Sequence, residues 1–222
     1  GFDGIMIACV DFSEPEVLQL ALSDIPVVTI DYIFNDRLAV VSDNAKGMED
    51  LFTYIYQMGH RRIAYIHGTD SAVTTNRLSS FYRTAEKLGV EIPDEYVMMT
   101  RYRDTKGAGE ATEKLLDLRR PPTCIIYPDD FAAFGGIHVI RERGMSIPED
   151  ISIAGYDGIR LAKLTVPNLT TLCQDTQHLG QYAAEKLIDL IEKPKTAMRN
   201  ITIVQGKLYE GQTVLKLDGS RG

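Results

Sequence analysis

The sequence predicts an α/β fold built on mainly parallel β-sheets, and three observations carry that expectation. Short apolar runs alternate with segments of helical period along the 222 residues, which is the pattern of βα units. Several of those runs are apolar at every position, as strands covered on both faces must be. The helical segments also have legible ends, with capping residues before them and glycine or proline after.

Taken in order, a first strand is read over 5–10 and a short helix over 15–22, followed by strands over 27–30 and 38–41. A helix over 45–58 places Met48, Leu51, Phe52 and Ile55 on one face, with Asn44 positioned to cap its start and Gly59 to end it. After a strand over 63–67, a helix over 75–88 repeats the pattern through Leu78, Phe81, Ala85 and Leu88 before Gly89. Strands over 96–99 and 124–127 flank a helix over 106–118, and a helix over 131–143 closes at Gly144. Strands over 151–154 and 169–173, a helix over 177–192 that stops before Pro194, and a strand over 201–204 complete the series.

Charge bounds the function. With 24 Lys and Arg against 31 Asp and Glu the chain carries a formal net charge of -7, a surface that repels phosphate. This chain by itself is expected not to grip DNA. Cys9, Cys124 and Cys173 each lie in an apolar run and form no C-x-x-C pair, so a disulfide framework or zinc knuckle is not expected, and a reducing cytoplasm suits the chain best. No apolar stretch is long enough to span a bilayer, and no membrane association is expected. The first strand has almost nothing before it, so the chain is expected to be truncated at its N-terminus.

Several chemistries are missing. The phosphate-loop pattern G-x-x-x-x-G-K-S/T does not occur, nor does G-x-S-x-G or H-E-x-x-H, and Gly107-Ala108-Gly109 lacks the third glycine of a dinucleotide fingerprint. His60, His67, His138 and His178 are read as structural, and His60-Arg61-Arg62 as cations offsetting a helix C-terminal dipole. No cofactor, metal or catalytic residue is expected.

In open parallel sheets ligands sit beyond the carboxyl ends of the strands. Asp11 follows the first strand, Asp31 and Tyr32 the second, Asp43 and Asn44 the third, Asp129 and Asp130 the sixth, Tyr156 and Asp157 the seventh, and Gln174 and Asp175 the eighth. Each of these alone is equally a turn or helix-capping residue; their recurrence points to a site. Arg77, read in the first turn of its helix, is placed to reach a ligand oxygen, and a surface role is the competing reading.

Five segments in order then resemble the effector domain of the lactose/galactose-repressor family: IPVVTID at 25–31, VSDN at 41–44 with Gly47, GHRRIAYI at 59–66, IPEDISIAGYD at 147–157 and PNLTT at 167–171. The resemblance implies a periplasmic-binding-protein-like fold of type I: two Rossmann-like subdomains with parallel sheets, joined by three crossovers, with an effector cleft between them. The expected division is 1–60 with 175–200 as an incomplete N-terminal subdomain and 61–174 with 201–222 as the C-terminal one. It implies effector contacts from Tyr32, Asp43, Arg77, Asp129, Asp157 and Gln174. Four positions depart from the family pattern: Asp129 stands where an asparagine is usual, Gly158 replaces a second aspartate, Ser80 replaces a glycine, and one lies near the C-terminus. Gly211 stands where a basic residue is usual.

Carboxylates suit polyols, because each oxygen can accept from a hydroxyl while Tyr32 offers a face to a ring. A sugar or sugar derivative is the expected effector, with a nucleobase or nucleoside second. The expected role is the sensing core of a repressor, not an enzyme, with operator DNA held only through an N-terminal helix-turn-helix absent from the chain. The alternatives are a periplasmic-type sugar-binding protein of a transport system and an enzyme with a metal at Asp129, Asp130 and Asp157. A homodimer is expected through the helix bearing Phe134, whose apolar surface exceeds what its own core needs. Replacing Arg77 or Asp157 by alanine is expected to cost effector binding and to leave folding nearly intact.

Overall fold

A computed structural model describes residues 1–8, 16, 19, 25–33, 38–195, 197 and 200–218. Cys9, Asp11 and most of the helix expected over 15–22 lie outside them. The chain divides into two compact units, Gly1–Asp43 with Asp175–Gly206 and Asn44–Gln174 with Lys207–Gly222.

In the first unit, β1 (Ile5–Ala8), β2 (Val27–Ile30), β3 (Ala39–Ser42) and β9 (Ile201–Val204) form a parallel sheet in the order β1-β2-β3-β9. Leu179, Ala183 and Leu190 recur at helical spacing along α5 (Thr176–Glu192) and pack on Val28, Val40 and Val204. Asp175 caps that helix, its carboxylate accepting from the His178 amide.

The second unit holds a six-stranded sheet in the order β10-β8-β7-β6-β4-β5. Its strands are β4 (Ile63–His67), β5 (Val97–Met99), β6 (Cys124–Ile126), β7 (Ser152–Asp157), β8 (Thr170–Cys173) and β10 (Lys207–Tyr209). All pairings are parallel except β10 on β8. Alternation along β4 divides the core: Ile63 and Tyr65 join Met48, Phe52 and Phe81 of α1 (Asn44–Gln57) and α2 (Ala72–Lys87), whereas Ala64 and Ile66 join Ala108, Leu115 and Ile140 on the other face. The helices of that other face are α3 (Thr105–Leu116) and α4 (Asp130–Glu142). From β4 the chain goes to β5 on one side and returns to β6 on the other, so the carboxyl ends of β4 and β6 form a topological switch point, where a doubly wound sheet offers a crevice.

Three readings change. Residues 44–57 belong with the second unit because α1 packs on α2, β8 and β10, and β9 belongs with the first because it extends β3. The helix expected from residue 75 starts at Ala72, since Ser71 accepts from the Thr74 amide at 3.1 Å and so provides the cap. Strand β10 was not anticipated, being a three-residue antiparallel edge too short to show a period. No helix among the described residues is long and apolar enough to cross a membrane.

Candidate functional site

Arg77 organises the switch point. Although it carries a charge it is 2 % exposed, and its guanidinium is committed on three sides. Nε donates to Asn44 Oδ1 at 2.8 Å, Nη1 donates to the Pro128 carbonyl at 2.9 Å just beyond β6, and Cζ lies 3.5 Å from the centroid of the Tyr156 ring. Its remaining nitrogen, Nη2, stands 3.9 Å from Asp157 Oδ1, an ion pair longer than a hydrogen bond. Asp157 ends β7 in a left-handed conformation (φ 101°) and accepts from Gln174 Nε2 at 2.6 Å. Burial pushes the Asp157 carboxyl up to about 6, although Arg77 and the Gln174 amide pull it down. Arg77, Asp157 and Gln174, expected together from the sequence, thus come together within one unit.

Asp129 is different. One oxygen caps α4 by accepting from the Ala132 amide at 2.8 Å, and the other accepts from the Arg103 amide at 2.7 Å, with the side chain 1 % exposed. Here the capping reading describes the geometry: the carboxylate is satisfied by backbone donors of its own unit. Asp130 is wholly buried, accepting from the Thr171 hydroxyl at 2.6 Å and the Ile159 amide at 2.8 Å, and burial pushes its carboxyl up to about 7. With both carboxylates turned to protein donors, Asp129, Asp130 and Asp157 do not converge as metal ligands, and the described residues hold no such group of His, Cys, Asp and Glu.

Tyr32 and Asp43 lie in the first unit at the carboxyl ends of β2 and β3, both half-buried; Asp43 is held through its amide to the Val204 carbonyl at 2.8 Å. Beside Tyr32, Asp31 adopts φ 56° and accepts from the Ser42 amide at 2.6 Å, linking the ends of β2 and β3. Phe134 is half-buried on α4, edge-on to Phe131 at 6.3 Å, and lines a groove of about 460 Å³ with Gly109, Gly135 and His138.

The departures have local reasons. Ser80 is buried and donates to the Ala45 carbonyl at 2.6 Å, so a hydroxyl joins α2 to α1. Gly158 has φ +70° and lies against Cys173, where any side chain is disfavoured. Four further residues complete the cluster: Asn44 and Tyr156, which the sequence places at strand ends, and Tyr102 and Arg103, which it does not single out. Asn44, at the start of α1, accepts from Arg77 through its amide oxygen. The Tyr156 ring lies against the Arg77 guanidinium, 3.5 Å from its Cζ to the ring centroid. Tyr102 packs on Gly68 and meets the Thr74 hydroxyl at 2.8 Å, and Arg103 stands at φ 60°. Nothing in residue order signals those last two, because Tyr102 is placed by Gly68 and Thr74 and Arg103 by the Asp129 carboxylate.

Residues 52–214 match the family model of the periplasmic binding protein-like domain. The chain belongs to that family. This periplasmic-binding-protein-like chain is 29% identical to the ribose operon repressor of Haemophilus influenzae, over 90% of the chain and 61% of the repressor. It is 30% identical to the HTH-type transcriptional repressor PurR of Salmonella arizonae, over 96% of the chain and 63% of that protein. It therefore spans a little over three fifths of these curated relatives. A solved structure of a LacI family transcriptional regulator from Enterococcus faecium, with bound ribose, superposes with a TM-score of 0.87 at 26% identity, covering 97% of this chain and 80% of that one. The resemblance to lactose/galactose repressors thus holds over nearly the whole domain, and its relatives are transcriptional regulators.

Proposed function

We propose that this domain is the effector-sensing core of a LacI-type repressor, binding a sugar or sugar derivative through Arg77, Asp157 and Gln174. Effector binding there controls DNA binding by a helix-turn-helix outside this chain. The observation that carries the reading is the 3.9 Å separation between Arg77 Nη2 and Asp157 Oδ1. A hydroxyl is both acceptor and donor, so it can accept from the guanidinium and donate to the carboxylate, a bridge that neither a purely donating nor a purely accepting group can make. Tyr156, stacked on Arg77, keeps the guanidinium plane in place for it. Because the relatives are repressors, regulation is favoured over a transport-type sugar binder. Effector binding acts by linkage, shifting a conformational equilibrium by its differential affinity for two states and no more.

Calorimetric titration with a panel of neutral, acidic and phosphorylated sugars and nucleosides tests this. A bound effector at 100 times its dissociation constant adds about 2.7 kcal/mol of stability. Asp157→Asn should weaken its binding by about 1.5–3 kcal/mol. Undiminished affinity in that variant, or sugars that all leave stability unmoved, refutes the reading.

The partner is a second copy of the chain, paired through α4. Phe131 (41 % exposed) and Phe134 on that helix continue into Leu164 (68 %) and Val166 (83 %), and Arg141 on the same helix donates to the Val166 carbonyl, holding the loop beside it. Sedimentation at high micromolar concentration should give a dimer that Phe131→Glu dissociates.

A further inference from the structure

Arg103 differs from Arg77, the other cation of the cluster, in how it is held and in what it lacks. Its backbone sits at φ 60°, a conformation a β-carbon resists and which persists only where surroundings impose it. What imposes it is a buried carboxylate: Asp129 spends one oxygen on the Arg103 amide at 2.7 Å while the other is fixed to the start of α4. The side chain that this clamp presents is exposed, and among the described residues its guanidinium makes no hydrogen bond or ion pair. The neighbouring carboxylates are engaged elsewhere, Asp104 capping α3 through the Gly107 amide at 2.8 Å and Asp157 holding Gln174. Yet the Arg103 charge is felt at Asp157, whose carboxyl it draws down. Arg77, by contrast, has no charge to spare, since it is buried, doubly bonded and faces Asp157. A neutral effector is served by Arg77 and Asp157 alone, and gives no reason for a second cation on a strained, clamped backbone.

We propose that Arg103 is a specificity-determining residue that binds an anionic substituent, a carboxylate or a phosphate, on the effector, and that Asp129 is the residue that positions it. The inference rests on the effector site proposed above and narrows its ligand to an acidic sugar.

Matched pairs decide it: galactose against galacturonate for the carboxylate, and glucose against glucose 6-phosphate and ribose against ribose 5-phosphate for the phosphate. Each is titrated calorimetrically into the wild-type chain, Arg103→Gln and Arg103→Lys, with a melting curve for each protein to confirm folding. In at least one pair the acidic member should bind about tenfold tighter than its neutral parent, the scale of one charged hydrogen bond. Arg103→Gln should abolish that preference by weakening the acidic member far more than the neutral parent, and Arg103→Lys should keep part of it; which pair responds identifies the anion. Asp129→Asn, which keeps an acceptor but not the charge, should reduce the preference less than Arg103→Gln. Neutral sugars that bind as well as or better than their acids, or an Arg103→Gln variant that loses both members equally, overturn the proposal while leaving the effector site standing. If no member of any pair binds, both fall together.

Discussion

Arg77→Ala should unfold the second unit far more readily than its place in a binding site suggests. The substitution removes a charged donor from two acceptors, Asn44 Oδ1 and the Pro128 carbonyl, and strips the Tyr156 ring of the cation lying 3.5 Å from its centre. Hydrogen bonds to a charged group contribute about 1.5–3 kcal/mol each, and removing one partner of a buried charged pair costs about 3–5 kcal/mol. These losses overlap, so about 3–5 kcal/mol is expected for the whole, against a domain stability of about 5–15 kcal/mol. Urea unfolding followed by circular dichroism should shift its midpoint down by about 1.5–2.5 M, taking a slope near 2 kcal/mol per molar. Arg77→Lys, which keeps the charge and loses the fork, should fall between. A loss below about 1 kcal/mol, the range of surface substitutions, would show that the guanidinium is not the keystone of the switch point. The expectation that folding survives this change nearly intact is therefore revised: Asp157, a third exposed, is the better probe of binding alone.

Further outcomes follow from the packing. Because burial raises Asp130 to about 7 and Asp157 to about 6, the unfolded chain releases these protons near pH 4 and the folded chain only later. Their contribution to stability is full below that pH and is lost as pH rises through 6 to 7, so Asp130→Asn should gain on the wild type between pH 5 and pH 8; a difference constant across that range argues against the burial reading. Gly135→Ala puts a methyl 1.9 Å from the Thr105 carbonyl oxygen and should cost about 2–3 kcal/mol in thermal unfolding by forcing α3 and α4 apart. Gly180→Ala in α5, with nothing within 4 Å, should instead stabilise by about 0.5–1 kcal/mol. The Tyr65 hydroxyl is buried without a hydrogen-bond partner among the described residues, so Tyr65→Phe should be neutral or stabilising by up to about 1 kcal/mol, and a clear loss of stability would mean the hydroxyl is in use.

The parallel α/β order of this protein is legible from residue order because burial on both faces of a strand and on one face of a helix demands periods that sequence displays directly, as in Ile63–His67 and in Met48, Leu51, Phe52 and Ile55. The positions beyond strand ends were legible too, since turns there require Asp, Asn and Gly, and Asp157 stood among them. Residue order could not say which of those acids is spent on backbone donors. Asp129 follows β6 and Asp157 ends β7, yet the first is consumed by two amides and the second stands across from a guanidinium. That distinction depends on a 26-residue separation closed by folding, from Asp129 to Arg103, and on a 33-residue one from Arg77 to Asn44. A hydrogen bond is spent where its donor arrives, and only the tertiary structure brings these donors to their acceptors.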